Sequence, residues 1–338
     1  MDWFEKLTGF EETDWASTRE KLSVDGARLI SNVNGSSYEI GEFELISLEE
    51  LRKQGSALPP HGETPLKVCL TIGDVRPMHQ VTENAGALFQ VASQFNMLEM
   101  AHPTVTPEDG VTIYQNDHTQ GPACAIAAGA ATIFRNYFVP INGENGQTED
   151  RQINGISKIQ DTLAGALDLP TSDLCTMKNG YFLPEAQNLK RINRYLGSLE
   201  EPLIDNIRKK LCVGMHWDIE VTDVDNFPGP QVSQAFCSAL PIAYSNLGAD
   251  SWKELASLVL EAAYEATLWA GVINSARGVS DKVFLTLLGG GAFGNDADWI
   301  YQAIERAVSV VSKYPLDVQI VSFGEPTLGL RTLIEEIS

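Results

Sequence analysis

Apolar runs and amphipathic segments alternate along much of the chain. Residues 283–288 are six apolar or β-favouring residues in a row, which predicts a strand buried on both faces of a parallel sheet. Glycines follow at once, and residues 297–311 then place apolar side chains on one side of a predicted helix. The pattern is a strand, a glycine-rich turn and a helix. Exposed backbone N–H groups at such a turn can bind phosphate, but an ordinary βα turn with glycines at positive φ fits the same pattern.

The same patterns predict elements along the rest of the chain. Residues 28–46 are typical of a β-hairpin, because Asn34-Gly35 at its centre is a strong turn signal. Further strands are predicted at 66–72, 89–95, 213–221, 232–243 and 316–323, helices at 48–54, 123–134 and 251–273, and an extended segment at 111–114. Strands that alternate with helices indicate an α/β layered fold with ligand loops at the carboxyl ends of the strands.

We divide the chain into two parts. Residues 1–65 form a predicted N-terminal extension of short helices and the hairpin, ending in a connector at 55–65 that is rich in glycine and proline. Residues 66–338 form the predicted main domain, which carries a helical insertion at about 140–215.

Composition limits the partners. The chain has 338 residues, of which 43% are hydrophobic and 20% charged, as in a globular protein with a sizeable core. The net charge of −21 argues against nucleic acid or an anionic membrane as a partner, because both would be repelled. A small anionic ligand responds to local dipoles and is not excluded. The first residues do not read as a signal peptide and no apolar run reaches the ~20 residues of a membrane span, so we expect a soluble protein.

Cysteine and histidine give no sign of a metal. The five cysteines lie apart without a CxxC pair, which predicts reduced thiols in a cytoplasmic setting. The five histidines lack metal-ligand spacing. The acidic cluster Asp218, Glu220, Asp223 and Asp225 is more typical of a solvated face than of a cation site. We therefore predict neither a metal nor a cofactor.

Four segments together resemble the macrodomain fold, the ADP-ribose-binding α/β/α sandwich. Residues 291–294 read Gly-Ala-Phe-Gly after an apolar strand, similar to the second phosphate loop of macrodomains. Residues 73–75 read Gly-Asp-Val and resemble the family's Gly-Asp-Ile; residues 89–96 resemble its strand that ends in Asn; residues 232–244 resemble the strand before its long helix. The resemblance covers roughly residues 66–325 apart from the insertion, and it implies a macrodomain-like three-layer α/β/α sandwich with a mixed sheet.

The resemblance also implies a binding site. Asp74 would meet the adenine amino group, Asn96 the distal ribose, and the glycine loop the diphosphate. The ligand-binding residues implied in this way are Asp74, Asn96, Gly289, Gly290, Gly291, Ala292, Phe293, Gly294 and Asn295. From the residues alone, Asp74 and Asn96 can also be turn residues, and Phe293 a packing aromatic.

One segment departs from the family. Macrodomains usually follow the Asn with a run of glycines, whereas residues 97–100 here read Met-Leu-Glu-Met. Glu99, Asp109 and Asp117 lie in this neighbourhood, which resembles the divergent macrodomain hydrolases, including bacterial effectors, that remove ADP-ribose from arginine.

Paired carboxylates suit that chemistry. Hydrolysis of an N-glycosidic bond needs one carboxylate to orient water and a second group to assist the leaving nitrogen. Glu99 and Asp117 are the predicted pair and Asp109 is the third candidate; plainer interpretations are a loop acid, a helix cap and a turn residue, respectively. We expect an ADP-ribosyl hydrolase whose partner is ADP-ribose or an ADP-ribosylated protein, modified at arginine. The alternatives are a non-catalytic ADP-ribose reader and a hydrolase of a free ADP-ribose derivative.

Overall fold

The computed structural model describes residues 1–60 and 65–337, so residues 61–64 of the predicted connector lie outside the described residues. The strands are β1 (Leu22–Asp25), β2 (Arg28–Ser31), β3 (Ser37–Glu39), β4 (Glu42–Ser47), β5 (Lys67–Ile72), β6 (Leu88–Ala92), β7 (Pro140–Ile141), β8 (Glu144–Asn145), β9 (Thr176–Lys178), β10 (Tyr181–Leu183), β11 (Cys212–Glu220), β12 (Gln231–Cys237), β13 (Lys282–Leu285) and β14 (Asp317–Ser322). The helices are α1 (Trp3–Thr8), α2 (Trp15–Glu20), α3 (Leu48–Ser56), α4 (Val75–Gln80), α5 (Gln120–Ala127), α6 (Gly129–Tyr137), α7 (Ser157–Ala166), α8 (Thr171–Leu174), α9 (Ala186–Leu196), α10 (Glu201–Arg208), α11 (Lys253–Ala276), α12 (Ala297–Val311) and α13 (Leu328–Ile337).

A seven-stranded mixed sheet lies at the centre, in the order β4-β11-β12-β6-β13-β14-β5. Strands β12, β6, β13, β14 and β5 run parallel, and β11 is antiparallel to both of its neighbours. The carboxyl ends of the five parallel strands therefore meet at one edge of the sheet. Ligands of α/β proteins bind in crevices at such an edge.

Helices cover both faces of this sheet. Successive strand residues point to opposite faces, so Val283 and Leu285 pack into the core formed with α3, α11 and α12. Phe284 between them packs into the core formed with α4, α5 and α6. The predicted α/β class, with a mixed sheet between two helical layers, is confirmed.

Local signals placed several elements correctly. Of the hairpin predicted at 28–46, residues 28–39 form it, as β2 paired with β3. Helix α3 begins where predicted, with Ser47 as its cap, accepting a hydrogen bond from the Glu50 N–H at 3.3 Å. The chain after the hairpin then joins the large sheet as its edge strand β4, beside β11. The division at residue 65 stays a prediction. The insertion contains helices α7 to α10, as its pattern predicted, and also the hairpins β7–β8 and β9–β10.

The strands predicted at 89–95, 232–243 and 283–288 end earlier than predicted, at Ala92, Cys237 and Leu285. Two other local predictions are wrong in kind, and tertiary contacts explain both. The helix predicted at 123–134 is two helices that break at Ala128, because the Ala127 carbonyl accepts from the N–H groups of Thr222 (2.9 Å) and Asp223 (3.2 Å). The segment predicted to be extended at 111–114 lies mostly in a 3₁₀ helix, Thr112–Asn116. There the Glu12 carboxylate accepts from two successive backbone N–H groups, which holds the chain in a turn.

Helix α11 is the long apolar helix of the core. Among the described residues it alone is long and apolar enough to cross a membrane by length and composition. Within its most apolar 18-residue window, 83% is buried inside the protein. It is packed as a core helix, against α12 and the sheet.

Candidate active site

A cleft of about 150 Å³ opens at the carboxyl edge of the sheet, between the ends of β12, β6 and β13. Strands β6 and β13 pair only over two residues, Val283 with Leu88 and Phe284 with Phe89, and then separate. The cleft lies where they separate.

Two glutamine side chains take the place of the backbone hydrogen bonds that β6 and β13 do not form with each other beyond Phe89. The Gln120 Oε1 accepts from the Ala92 N–H and its Nε2 donates to the Gln90 carbonyl, both at 2.8 Å. The Gln90 Oε1 accepts from the Thr286 N–H at 3.3 Å. Because these bonds satisfy the edge of β6, the two strands can stay apart without leaving buried polar groups unpaired.

Glu99 lies in the loop after β6 and lines this cleft. Only 2% of it is exposed, and neither carboxyl oxygen has a hydrogen-bond partner among the described residues. Burial raises the pKa of Glu99 to about 8; the charge of Arg135 opposes that shift and the charge of Asp117 adds to it. The side chain is therefore a largely protonated acid at neutral pH, a form that can donate a proton.

Asp117 lines the same cleft from the segment that leads into α5. It is half-buried, and its Oδ1 accepts from the Thr119 N–H at 2.9 Å. Asp109 lies elsewhere: it is exposed, and its Oδ2 accepts from the Thr106 N–H at 2.8 Å in a capping box. The structure thus brings Glu99 and Asp117 together at one cleft, without Asp109.

The glycine-rich loop forms the other rim. Gly289 and Gly294 adopt positive φ angles of 75° and 71°, and the N–H groups of Gly290, Gly294 and Asn295 bond to carbonyls within the loop. The remaining N–H groups at the tip have no acceptor in residues 1–60 and 65–337; they belong to Gly291, Ala292 and Phe293. All three residues line the cleft. Consecutive free amides of this kind attract an anion.

Two predicted ligand contacts are used inside the protein instead. Asn295 is buried and its Nδ2 donates to the Leu240 carbonyl at 2.8 Å, which braces the glycine loop from behind. Asn96 is also buried: its Nδ2 donates to Gln152 at 2.9 Å and its Oδ1 accepts from Leu98. Neither lines the cleft, where Ser93 and Gln94 lie at the end of β6.

Residues 97–100, where the sequence departs from the macrodomain pattern, offer no free amide. Each N–H in the segment donates within the protein, to Gln94 O, Asn96 Oδ1, Tyr114 Oη and Gln94 Oε1 in turn. A bound phosphate would find no donor here. The segment presents the Glu99 side chain instead.

Asp74 and Phe323 lie farther along the same edge, after β5 and β14. Asp74 is exposed and caps α4, with its Oδ1 accepting from the Arg76 N–H at 2.9 Å. Phe323 is 79% exposed and follows Ser322, whose carbonyl accepts from the Gly73 N–H at 3.0 Å. Asp74 and Phe323 therefore follow neighbouring strands, outside the residues that line the cleft.

Three aromatic rings line the cleft beside the acids. The ring centroids of Tyr181, Tyr244 and Phe293 are 5.2 to 5.7 Å apart, and the Tyr181 hydroxyl donates to the Met100 carbonyl at 2.5 Å. Tyr181 comes from the insertion, at the start of β10. Among the lining residues there is no lysine, arginine or histidine. The described residues contain no group of three metal-ligating side chains.

Comparison with known proteins gave structural neighbours only. No protein-family model matches, and a search of curated proteins found no relative. A poly(ADP-ribose) glycohydrolase from Thermomonospora curvata is 12% identical with a TM-score of 0.45, over 92% of this chain and 94% of that one. The enzyme from Deinococcus radiodurans, in complex with ADP-ribose, is 10% identical with a TM-score of 0.44, over 86% and 90%. We infer the function from the cleft itself.

Proposed function

We propose that this protein is an ADP-ribosyl hydrolase that removes ADP-ribose from arginine in modified proteins. The observation that carries the proposal is Glu99: a buried carboxyl with both oxygens unpartnered, in a cleft whose rim offers free backbone amides. Burial keeps this acid protonated near neutral pH, as the acid of a glycosidase must be.

The candidate binding groups follow successive strands along the edge of the sheet, in the same order as the ribose, diphosphate and adenine of ADP-ribose. The acid follows β6, the free amides follow β13, the exposed Phe323 ring follows β14, and Asp74 follows β5. Paired neighbouring strands are ~4.8 Å apart, so the two intervals from β13 to β5 span about 10 Å, and the cleft itself separates the ends of β6 and β13. We expect the distal ribose at Glu99, the diphosphate at the amides, and the adenine against Phe323 with its amino group towards Asp74.

The reaction then needs two carboxyl groups. The bond between ribose C1 and the guanidinium nitrogen breaks, and its electron pair leaves with the nitrogen. The leaving guanidine takes the Glu99 proton and becomes guanidinium. Water bonds to C1 and gives its proton to the Asp117 carboxylate, whose Oδ2 is free of partners among the described residues. Exchange with solvent returns both groups to their starting forms.

Charge at the cleft favours arginine as the linkage. Two acids and three aromatic rings line it, without a cationic side chain among the lining residues. A planar guanidinium is attracted by the Asp117 carboxylate and by the ring faces. A carboxylic ester of ADP-ribose carries no such cation, so these contacts would not favour it.

The test is release of free ADP-ribose from protein modified at arginine. Protein modified at serine or at acidic residues serves as the comparison, and Glu99→Gln as the inactive control. We expect release from the arginine-linked substrate alone. Binding of ADP-ribose without any release would instead identify a reader, and absence of binding would refute the proposal altogether.

A further inference from the structure

A buried positive charge lies beneath the acid. Arg135 on α6 has an exposed fraction of 0%, and its Nη2 is 3.8 Å from Glu99 Oε2. Burial lowers the pKa of Arg135, and the negative charge that Glu99 can carry opposes that shift. A separation of 3.8 Å is too long for a hydrogen bond, so the Glu99 oxygens stay unpaired.

The guanidinium is held on every side by the protein. Its partners are Met97 O at 3.1 Å from Nε, Thr132 Oγ1 at 3.1 Å from Nη2, His216 Nδ1 at 3.4 Å from Nη1, and the Phe236 ring, whose centroid is 3.8 Å from Cζ. Met97 lies two residues before Glu99 in the same loop. The bond to Met97 therefore ties Arg135 to the segment that presents the acid.

We propose that Arg135 is a positioning residue for this site: it fastens the loop at residues 97–100 and supplies the positive charge that faces Glu99. The consequence for turnover rests on the proposed function, but the contact itself does not.

The other groups around Glu99 do not supply such a charge. Tyr114 from the 3₁₀ turn and Cys124 from α5 are buried, and burial raises the pKa of each well above its usual value, so both stay neutral. Burial also lowers the pKa of His216 well below its usual value, so the imidazole beside Arg135 is neutral. Asp117 is negative and acts in the opposite sense. Arg135 is the cation that counters the burial of Glu99.

Arg208 gives a matched control for a merely structural arginine. It is likewise buried, with 2% exposed, but it lies on α10 and pairs with Glu201, Asp205 and Glu261. None of these residues lines the cleft. Loss of Arg208 should therefore reduce stability without touching Glu99.

The experiment titrates Glu99 directly. The carboxylic C=O infrared band that disappears in Glu99→Gln is followed against pH in the wild type, Arg135→Met and Arg208→Met. A cation at this distance lowers the pKa of a carboxyl by about 1–3 units, so we expect the midpoint to rise by about that much in Arg135→Met and not in Arg208→Met. An unchanged midpoint in Arg135→Met overturns the proposal.

A second variant decides the matter if Arg135→Met does not fold. Arg135→Lys keeps a charge but loses the planar fork that binds Met97 O and Thr132. We expect a smaller upward shift of the midpoint and a lower kcat at unchanged KM; wild-type values of both would overturn the proposal. The infrared titration needs no substrate. If the midpoint shifts as expected but no ADP-ribose is ever released, the proposed function fails and the role of Arg135 stands.

Discussion

The Gln120 side chain bonds to the backbone of Ala92, with Oε1 accepting from the N–H at 2.8 Å, on the side of β6 where β13 would pair. The contact fixes the start of α5 against the end of β6. Gly121 comes so close that a Cβ there would lie 1.9 Å from the Ala92 carbonyl oxygen. One side chain thus keeps the sheet open and holds the helix that borders the opening.

We expect Gln120→Leu to damage both stability and binding. The change leaves the Ala92 N–H and the Gln90 carbonyl without partners, which should lower the free energy of unfolding by about 1–3 kcal/mol. Affinity for ADP-ribose should fall as well, because the cleft loses its fixed border. Chemical denaturation and calorimetry measure the two effects. Gln115→Leu, at an exposed position, is the control and should change neither.

Substitution of the acids should separate chemistry from binding. Glu99→Gln and Asp117→Asn should each lower turnover by about 10²-fold or more, with little loss of ADP-ribose affinity, because the acid and the base act mainly in the transition state. Asp109→Asn, in its exposed capping box, should be much milder. If Asp109 proves the most damaging of the three, the assignment of the carboxylates is wrong.

The protonation of Glu99 should also appear in the pH dependence of stability. Its pKa is raised from 4.5 to about 8, so between these values the folded protein holds a proton that the unfolded chain has lost. The free energy of unfolding should therefore fall as the pH rises through this window, by up to about 1.4 kcal/mol per unit. Denaturation of the wild type and of Glu99→Gln at pH 5 and pH 8 measures this effect, because the contributions of the other titrating groups cancel in the difference between the two proteins. A difference that does not change with pH would contradict the assigned shift.

Two glycines of the loop should behave differently. Gly291 has open space where a Cβ would point, so Gly291→Val should fold normally and still lose ADP-ribose by crowding the free amides. Gly294 has a φ of 71°, and its Cβ would lie 3.2 Å from that of Ala243, so Gly294→Val should also lower the melting temperature. Thermal shift with and without ADP-ribose separates the two effects. Normal binding by Gly291→Val would remove the loop from the site.

The adenine end can be tested with a truncated ligand. Asp74→Ala and Phe323→Ala should weaken ADP-ribose far more than ribose-5-phosphate, because only the former carries a base. Leu328→Ala is the control, since Leu328 is 81% exposed and begins α13 close by in sequence. Equal weakening of both ligands would place the base elsewhere.

The sequence predicted those elements whose own residues determine them. The bounds of α12 and the turn at Asn34-Gly35 follow from local periodicity and turn chemistry. The break at Ala128 occurs because the Ala127 carbonyl accepts hydrogen bonds from Thr222 and Asp223, which lie far outside any local window of sequence. The glycine loop could be predicted because glycine is the residue that adopts positive φ most readily, as Gly289 and Gly294 do here.

The site could be predicted only in part for the same reason. Glu99 and Asp117, predicted from a departure in a familiar pattern, both line the cleft, whereas the amide of Asn96, predicted to contact ligand, is hydrogen-bonded inside the protein. Arg135 had one visible signal, a lone charge next to an apolar segment, and its meaning depends on the fold that brings it under Glu99. Tyr181 had none, because its place comes from the insertion folding back over the sheet.

Tyr181 comes from a different part of the fold than the acid and the free amides that line the cleft with it. Glu99 and the free amides at residues 291–293 follow β6 and β13 of the central sheet, whose strand order and register fix where these segments begin. The Tyr181 ring comes from the hairpin β9–β10, outside the central sheet, but this hairpin is buried against the segment that presents Glu99: the Gly180 carbonyl accepts from the Phe95 N–H at 3.0 Å and the Tyr181 hydroxyl donates to the Met100 carbonyl. A change in this hairpin would therefore also alter the segment that presents Glu99, so under the proposed function the contact with the modified protein and the catalytic acid would have to vary together.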